Sequence, residues 1–458
     1  MISGKNYLLL TVAGGSFVAP FMVSGLIVAI PTIGYEFSMD PVAQSWLATA
    51  FFLAAAMFLI PFGRISDLLG VKRIFSVGIG IFFISALLAS LAPNPSVLIA
   101  ARFLAGMGAA MVFGTSFAIL SLSLPEGERG RALGMNIAAN LLGFALGFLI
   151  GGYLTHYLTW RALFAATLPI DLLVIALLHL KLPGDYALSK CKGIDLAGTV
   201  LCAVMLFFIV VGLSELPGLL GISALLIGLI TLIAFSFWEM RAPCPIVDVR
   251  LFLKNRAFAL FNLSILIYFA SSFASIFLFS LYLQYIRGFD ERSAGVTFAA
   301  LTLVMAFFVI YAGRLSDRIR PAHIAAVGAA MTSVGLFPLM FISTTTPIEL
   351  VISESTLLLV GGAFFQPPIV KCVIGSLGRD MYGLGGGLAE MMRLAGQTVS
   401  MAVVIVFFTL YLGGWEILPE SHPAFIESLR TIFAVFLVLS LSCLAIVVLV
   451  GRSEDRCV

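Results

Sequence analysis

Five ionisable side chains lie well inside long apolar stretches: Arg102, Asp171, Glu354, Glu390 and Arg393. A charge at membrane depth is expensive unless it faces water or a partner, so such residues mark ion or substrate paths by default. Glu390, Arg393 and Gln397 are spaced by three and four, which places them on one helical face with Gly386 and Ser400. Glu390 and Arg393 can pair there, either as a structural ion pair that closes a gate or as a labile pair that a proton breaks. A second face carries Asn262, Phe269, Phe273 and Ser280 at steps of about 100°. It offers a lipophilic ligand apolar contact with a few polar handles; the alternative is that its phenylalanines face lipid, in a chain with 40 Phe.

The elements that hold these residues follow from composition. Of 458 residues, 61% are apolar and 11% charged, and mean hydropathy is +1.12. Soluble domains run at about 45–50% apolar and about 25% charged. These values exclude a cytosolic enzyme, a nucleic-acid binder and a disordered chain. The net charge of +3 is too small to imply an anionic partner. Apolar runs of spanning length recur at roughly 7–30, 43–62, 74–92, 96–120, 132–155, 162–180, 195–214, 218–238, 258–285, 294–312, 322–342, 347–371, 383–412 and 430–451. That makes fourteen. They are too long and continuous for barrel strands, and open strands cannot cross lipid, so the chain is predicted to be an all-α membrane protein.

Lys and Arg set the orientation. With the N-terminus in the cytoplasm, 20 of the 26 basic residues fall inside; Arg161, Arg287, Arg292 and Arg430 fall outside, and Arg102 and Arg393 within spans. Both termini are expected in the cytoplasm of a plasma-membrane protein. The first apolar run exceeds a signal-peptide core of about 7–15 residues and reads as an uncleaved first helix. The six cysteines show no metal-type spacing and are expected as free thiols. The four histidines, His156 among them, sit at or near run ends, which argues against a histidine relay or metal site. No nucleotide-binding motif is present, and no cofactor, metal or nucleic acid is expected.

An internal repeat divides the chain. GRISDLLGVKR at 63–73 and GRLSDRIRP at 313–321 both leave an even-numbered span on the same side. Parallel duplication of a six-helix unit accounts for this. The loops are eight spans apart rather than six, so two extra helices lie between the halves, at about 195–238. The expected units are 1–182, 183–257 with the extra pair, and 258–458.

The chain resembles the major facilitator superfamily over essentially its whole length, and within it the fourteen-helix drug:proton antiporter branch. The loop Gly63-Arg64-x-x-Asp67-x-x-Gly70-x-Lys72-Arg73 matches the superfamily's cytoplasmic signature, echoed at Gly313-Arg314-x-x-Asp317-Arg318. A tight glycine turn is expected there, with Asp67 capping the third helix and the basic residues at the inner leaflet. The resemblance implies that these loops latch the two halves in an outward-facing state. Arg102-x-x-x-Gly106-x-Gly108-Ala109-Ala110 resembles the second motif, implying for Arg102 a part in proton coupling or cavity organisation, or else a structural hub between helices. Gly134-x8-Gly143-x3-Gly147-Phe148-x2-Gly151-Gly152 resembles the fifth-helix motif, with Gly143, Gly147 and Gly151 stacked on one face. Phe148 stands where antiporters have proline. Trp46, Trp160-Arg161 and Pro169 also match the branch. The position where the branch has an acidic residue in helix one is Met22 here, and helix one is expected to carry no carboxylate at all.

In the superfamily arrangement, helices nine and twelve line the cavity. This makes Glu354, on helix twelve, the first candidate for a titratable coupling acid, or else a residue at the outer mouth. Asp171, on an outer supporting helix, is expected to pack or hydrogen-bond. Gln366-Pro367-Pro368 is expected to bend helix twelve. The resemblance implies a fold of two six-helix halves plus two helices, and proton-coupled (or sodium-coupled) export of amphipathic organic compounds. A transporter of one metabolite, including an uptake symporter, and a non-transporting receptor are the alternatives.

Overall fold

A computed structural model describes residues 4–124, 126–181, 195–216, 218–243, 245–247, 249–377, 382–413 and 416–454. Among these residues, fourteen helices are long and apolar enough to cross a membrane. They are α1 Asn6–Phe37, α2 Pro41–Leu69, α3 Val71–Ser90, α4 Pro95–Ser123, α5 Arg131–Tyr157, α6 Trp160–Leu180 and α7 Leu196–Ser214. The series continues with α8 Leu219–Glu239, α9 Arg256–Ile286, α10 Glu291–Leu315, α11 Pro321–Leu339, α12 Ile348–Gly375, α13 Leu384–Leu412 and α14 Pro419–Gly451. Fourteen crossings return the chain to its starting side, so both termini lie at one end of the bundle. We call the opposite end the far end.

Capping residues set many helix starts. Asp40 accepts from the Ala43 amide at 2.7 Å with Pro41 at the first helical position, and Asn94 does the same for Val97 at 3.0 Å ahead of Pro95. Asp195, Asn255 and Asp290 cap α7, α9 and α10 in the same way. Between α2 and α3 the chain turns on the single residue Gly70, at φ 109°, a region that a side chain disfavours. Here the expectation for Asp67 is corrected. It lies in the last turn of α2, and Gly70 itself occupies the N-cap position of α3, which has no side-chain cap. The helix simply runs on to Leu69, leaving Asp67 on the wrong side of the turn.

The packing scheme of α1–α6 recurs in α9–α14. In the first set α1 packs on α5 and α6, α4 on α2 and α3, and α3 on α6. In the second α9 packs on α13 and α14, α12 on α10 and α11, and α11 on α14. The two bundles meet through α5 against α10 and through α2 against α13, which the same correspondence exchanges. The α7–α8 pair leans on both bundles, with α7 touching α2 and α13.

Several helices are longer or less regular than the apolar runs. α1 continues to Phe37 and so carries Glu36; the expectation of a first helix without a carboxylate fails, because the helix outlasts its apolar run by two turns. α6 is interrupted between Ala165 and Leu168. α9 is interrupted at Phe273 and ends in a π turn at Tyr282–Ile286. Helix α12 continues as helix through Gln366-Pro367-Pro368. Cys202, Cys372 and Cys443 form no disulfide among the described residues; Cys191, Cys244 and Cys457 lie outside the described residues.

Candidate functional site

The α5 glycines build the core of the seam. A Cβ at Gly143 would stand 2.5 Å from the Phe17 carbonyl oxygen, and one at Gly151 would stand 2.6 Å from the Gly25 Cα. At Gly147 it would run into Ser24 and the Phe21 carbonyl. The three glycines therefore let α1 approach α5 to backbone contact. Gly134 is not part of this stripe, since a Cβ there meets nothing within 4 Å. On its other side α5 meets α10: Gly152 lies against the Glu291 carbonyl and Gly295 against the Phe148 carbonyl. Phe148, which replaces the antiporter proline, is buried and stacks on Phe298 of α10 with centroids 5.2 Å apart.

At the far end the two bundles are joined by side chains that sequence reading, Ser280 apart, does not single out. The Thr32 hydroxyl of α1 donates to the Glu291 carboxylate of α10 at 2.5 Å. His156 Nδ1, at the end of α5, lies 3.2 Å from Glu291 and 3.7 Å from Asp290. Arg292 donates to the Tyr157 hydroxyl at 2.7 Å. Gln44 of α2 donates to the Tyr285 hydroxyl at 3.1 Å. Deeper in, Ser280 donates to the Ile27 carbonyl at 2.8 Å and Gln284 to the Val28 carbonyl at 3.1 Å. The π turn of α9 holds both Gln284 and Tyr285, consistent with the concentration of such turns at functional sites. Hydrogen bonds from Ser293, through its hydroxyl and then its amide, hold the Asp290 carboxyl below the usual aspartate value; His156 and Arg292 nearby add to this. Each neutral bond contributes about 0.5–1.5 kcal/mol net. The set is strong in sum, yet made of separable parts. Beside it, within the first bundle, Glu36 accepts from Trp160 and Arg161, both at 2.6 Å.

Helices α9 and α13 bring together most of the sequence-predicted cavity residues. Arg393 makes a two-point ion pair with Glu390, and its guanidinium lies 5.9 Å from the Phe269 ring centre. Both members are part-exposed. Gln397 on the same face is buried, with Oε1 unpartnered among the described residues. Ser400 accepts from the Ala274 amide at 3.0 Å, directly after the interruption of α9 at Phe273. Phe273 packs edge-on against Phe52 of α2, centroids 4.5 Å apart, so this face meets the other bundle. Asn262 is buried and donates to the Phe258 carbonyl, leaving its Oδ1 unpartnered.

The remaining candidates stand apart from that face. Arg102 is 1% exposed; it lies over the Phe51 ring at 4.8 Å, reaches the Leu47 carbonyl at 3.4 Å and leaves Nη1 unpartnered. Asp171 is fully buried in α6 with both carboxylate oxygens unpartnered. Glu354 is half-buried.

The two signature loops make different contacts. Arg64 donates to the Pro245 carbonyl at 2.9 Å, in the connection that follows α8. Asp317 instead pairs with Lys371 of α12, whose ammonium also donates to Ser316 at 3.0 Å.

Comparison with known proteins supplies the class. The Major Facilitator Superfamily model matches residues 12–401 and 263–456. The chain belongs to this superfamily, whose members are transporters and not enzymes. It is 26% identical over 410 residues to the riboflavin transporter RibZ of Clostridioides difficile (strain 630), covering 89% of this chain and 88% of that protein. It is 28% identical over 408 residues to the multidrug resistance protein Stp of Mycobacterium tuberculosis (strain CDC 1551 / Oshkosh), covering 87% and 75%. A crystal structure of a bacterial homologue of the human lysosomal transporter Spinster superposes with a TM-score of 0.72 at 17% identity, covering 100% and 98%.

Proposed function

We propose that this chain exports lipophilic or amphipathic organic compounds in exchange for protons, by rocking two six-helix units, 1–182 and 258–458, with the inserted pair carried on 183–257. One observation carries the reading: two bundles with the same internal packing, tied at the far end by separable polar contacts. The Lys and Arg bias puts that end outside and both termini in the cytoplasm of the plasma membrane. The outer path is then closed, as alternating access requires when the cavity faces inward. The multidrug name of the relative Stp favours a broad lipophilic substrate range. In this reading Asn262, Phe269, Phe273 and Gln397 line the cavity. The coupling charges are sought among Glu354, Glu390, Arg393, Arg102 and Asp171, with the Glu390–Arg393 pair favoured because it shares a helix face with Gln397 and lies beside Phe269.

A specific observation favours a second reading. RibZ is a riboflavin transporter, and position 22 here is Met rather than an acid, so proton-coupled transport of one metabolite is the alternative. The two separate in purified proteoliposomes under an imposed pH gradient. Export of a panel of lipophilic cationic dyes, lost on collapse of the gradient, supports the first. Transport of a single metabolite with no dye movement supports the second.

A further inference from the structure

The inserted pair holds a polar site that neither reading uses. Glu239 ends α8 at the termini end of the bundle and is 1% exposed. Its Oε2 accepts the Val247 amide at 3.1 Å, and its Oε1 is buried with no partner among the described residues. That orphan oxygen does not point into an apolar pocket. A Cβ built on Gly198 would collide both with it and with Asp195 Oδ2, so the two carboxylates converge on the first turn of α7. Asp195 is itself fixed, accepting the Gly198 amide at 2.8 Å and the Trp238 indole N–H at 2.9 Å. The other charged or titratable groups facing Glu239 are Cys202 of α7 and Arg64 of α2. On the adjoining stretch Arg250 donates to the Met240 carbonyl.

Arg64 lies near enough for its charge to act on Glu239, but among the described residues it forms no ion pair with either carboxylate, and its Nη2 donates to the Pro245 carbonyl at 2.9 Å. Two carboxylates aimed at one point, Glu239 fully buried and Asp195 part-exposed, repel when both are charged, and an unpartnered buried charge is costly. A hydrogen on Oε1 removes both difficulties, because a carboxylic acid can donate to the neighbouring carboxylate. We propose that Glu239 and Asp195 bind one proton between them. The proton keeps Glu239 seated against Val247 and thereby holds residues 245–247 where Arg64 of the signature loop reaches Pro245. Loss of the proton drives the carboxylates apart, releases the connection and frees Arg64. The inserted pair is thus a proton-responsive brace on the cytoplasmic signature loop.

The test uses the full-length protein in detergent with its cysteines replaced by serine, and needs no substrate. Glu239→Gln mimics the protonated acid, because its amide donates to Asp195. Wild-type protein is expected to lose melting temperature on going from neutral to alkaline pH, and Glu239→Gln to lose most of that drop. Ile246, 2% exposed, is the second reporter. Ile246→Cys is labelled by a maleimide at a rate normalised to unfolded protein at the same pH. That rate is expected to rise at alkaline pH with Glu239 present and to stay low with Gln. If Glu239→Gln fails to fold, Asp195→Asn replaces it, since asparagine keeps the cap on Gly198. Equal alkaline drops and equal labelling profiles in wild type and variant would overturn the proposal. Neither readout depends on transport, so failure here leaves the proposed function standing.

Discussion

The two ends of this transporter are built on different plans. At the far end, polar side chains of one bundle reach the other: Thr32 and His156 to Glu291, Arg292 to Tyr157, Gln44 to Tyr285. At the termini end, the signature loops turn elsewhere: Arg64 to the connection after α8, Asp317 to Lys371 within the second bundle. Buried backbone packing, Gly143, Gly147 and Gly151 on α1, holds α5 rigid between these ends. The lesson is a division of labour. Close backbone contact joins α1 to α5 within the first bundle, whereas the far end of the seam combines the Gly152–Gly295 approach of α5 and α10 with exchangeable side-chain bonds.

The largest effect is expected where the α1–α5 contact itself is broken. Gly147→Leu puts a branched side chain where Ser24 and the Phe21 carbonyl already sit, and overpacking of this kind costs about 1–3 kcal/mol even where side chains can give way. Size-exclusion chromatography after extraction is expected to show loss of the monodisperse species. Glu291→Gln acts only on the seal. Hydrogen bonds to charged groups contribute about 1.5–3 kcal/mol, and 1.4 kcal/mol is about tenfold in an equilibrium. Labelling of Ser280→Cys by an impermeant maleimide is therefore expected to rise about tenfold. Arg64→Ala, at the other end, is expected to leave that rate within twofold, roughly the effect of a few tenths of a kcal/mol. Equal responses to both changes would erase the contrast between the ends.

A smaller effect follows from Asp290. Its carboxyl is held below the ordinary value chiefly by Ser293, so its cap on α10, the helix that carries Glu291 and Arg292, is present above the unfolded value and is lost only as pH falls through the lower folded one. Far-end opening is expected to stay suppressed down to below about pH 4, the usual aspartate range, as read by the distance between far-end spin labels. Smallest is Gly134→Ala. With open space around the position, it is expected to change melting temperature little, and upward, because Ala in a helix is favoured by roughly 0.5–1 kcal/mol.

The helices and the duplication are legible in the chain because they are local: hydropathy marks each span, and the two GR-x-SD loops mark the repeat. The shared face of Glu390, Arg393 and Gln397 is legible for the same reason, since three- and four-residue spacing puts them together. The far-end seal is not. Thr32 and Glu291 are 259 positions apart, and no local pattern links them. Glu36, Glu239 and Glu291 share a further cause. Each sits just beyond an apolar run but still on the helix, so a boundary drawn where hydropathy falls assigns it to a loop. A carboxylate or hydroxyl within a turn or two of a run's end is the signal that would have found them. Phe148 shows the reverse case: it reads as a defect in a motif, and its ring instead stacks across the seam on Phe298.

The central claim is that the far end opens and closes by separation of the bundles while each bundle stays intact. Spin labels at Leu158→Cys in the first bundle and Leu418→Cys in the second report it directly, since both positions are exposed and outside the seal. Pulsed electron–electron double resonance in nanodiscs is expected to give one short distance in the wild-type background. It is expected to show a second, longer population when Thr32→Val and Glu291→Gln are combined, with a pair inside either bundle unchanged. A single unaltered distance in the double variant would contradict the account.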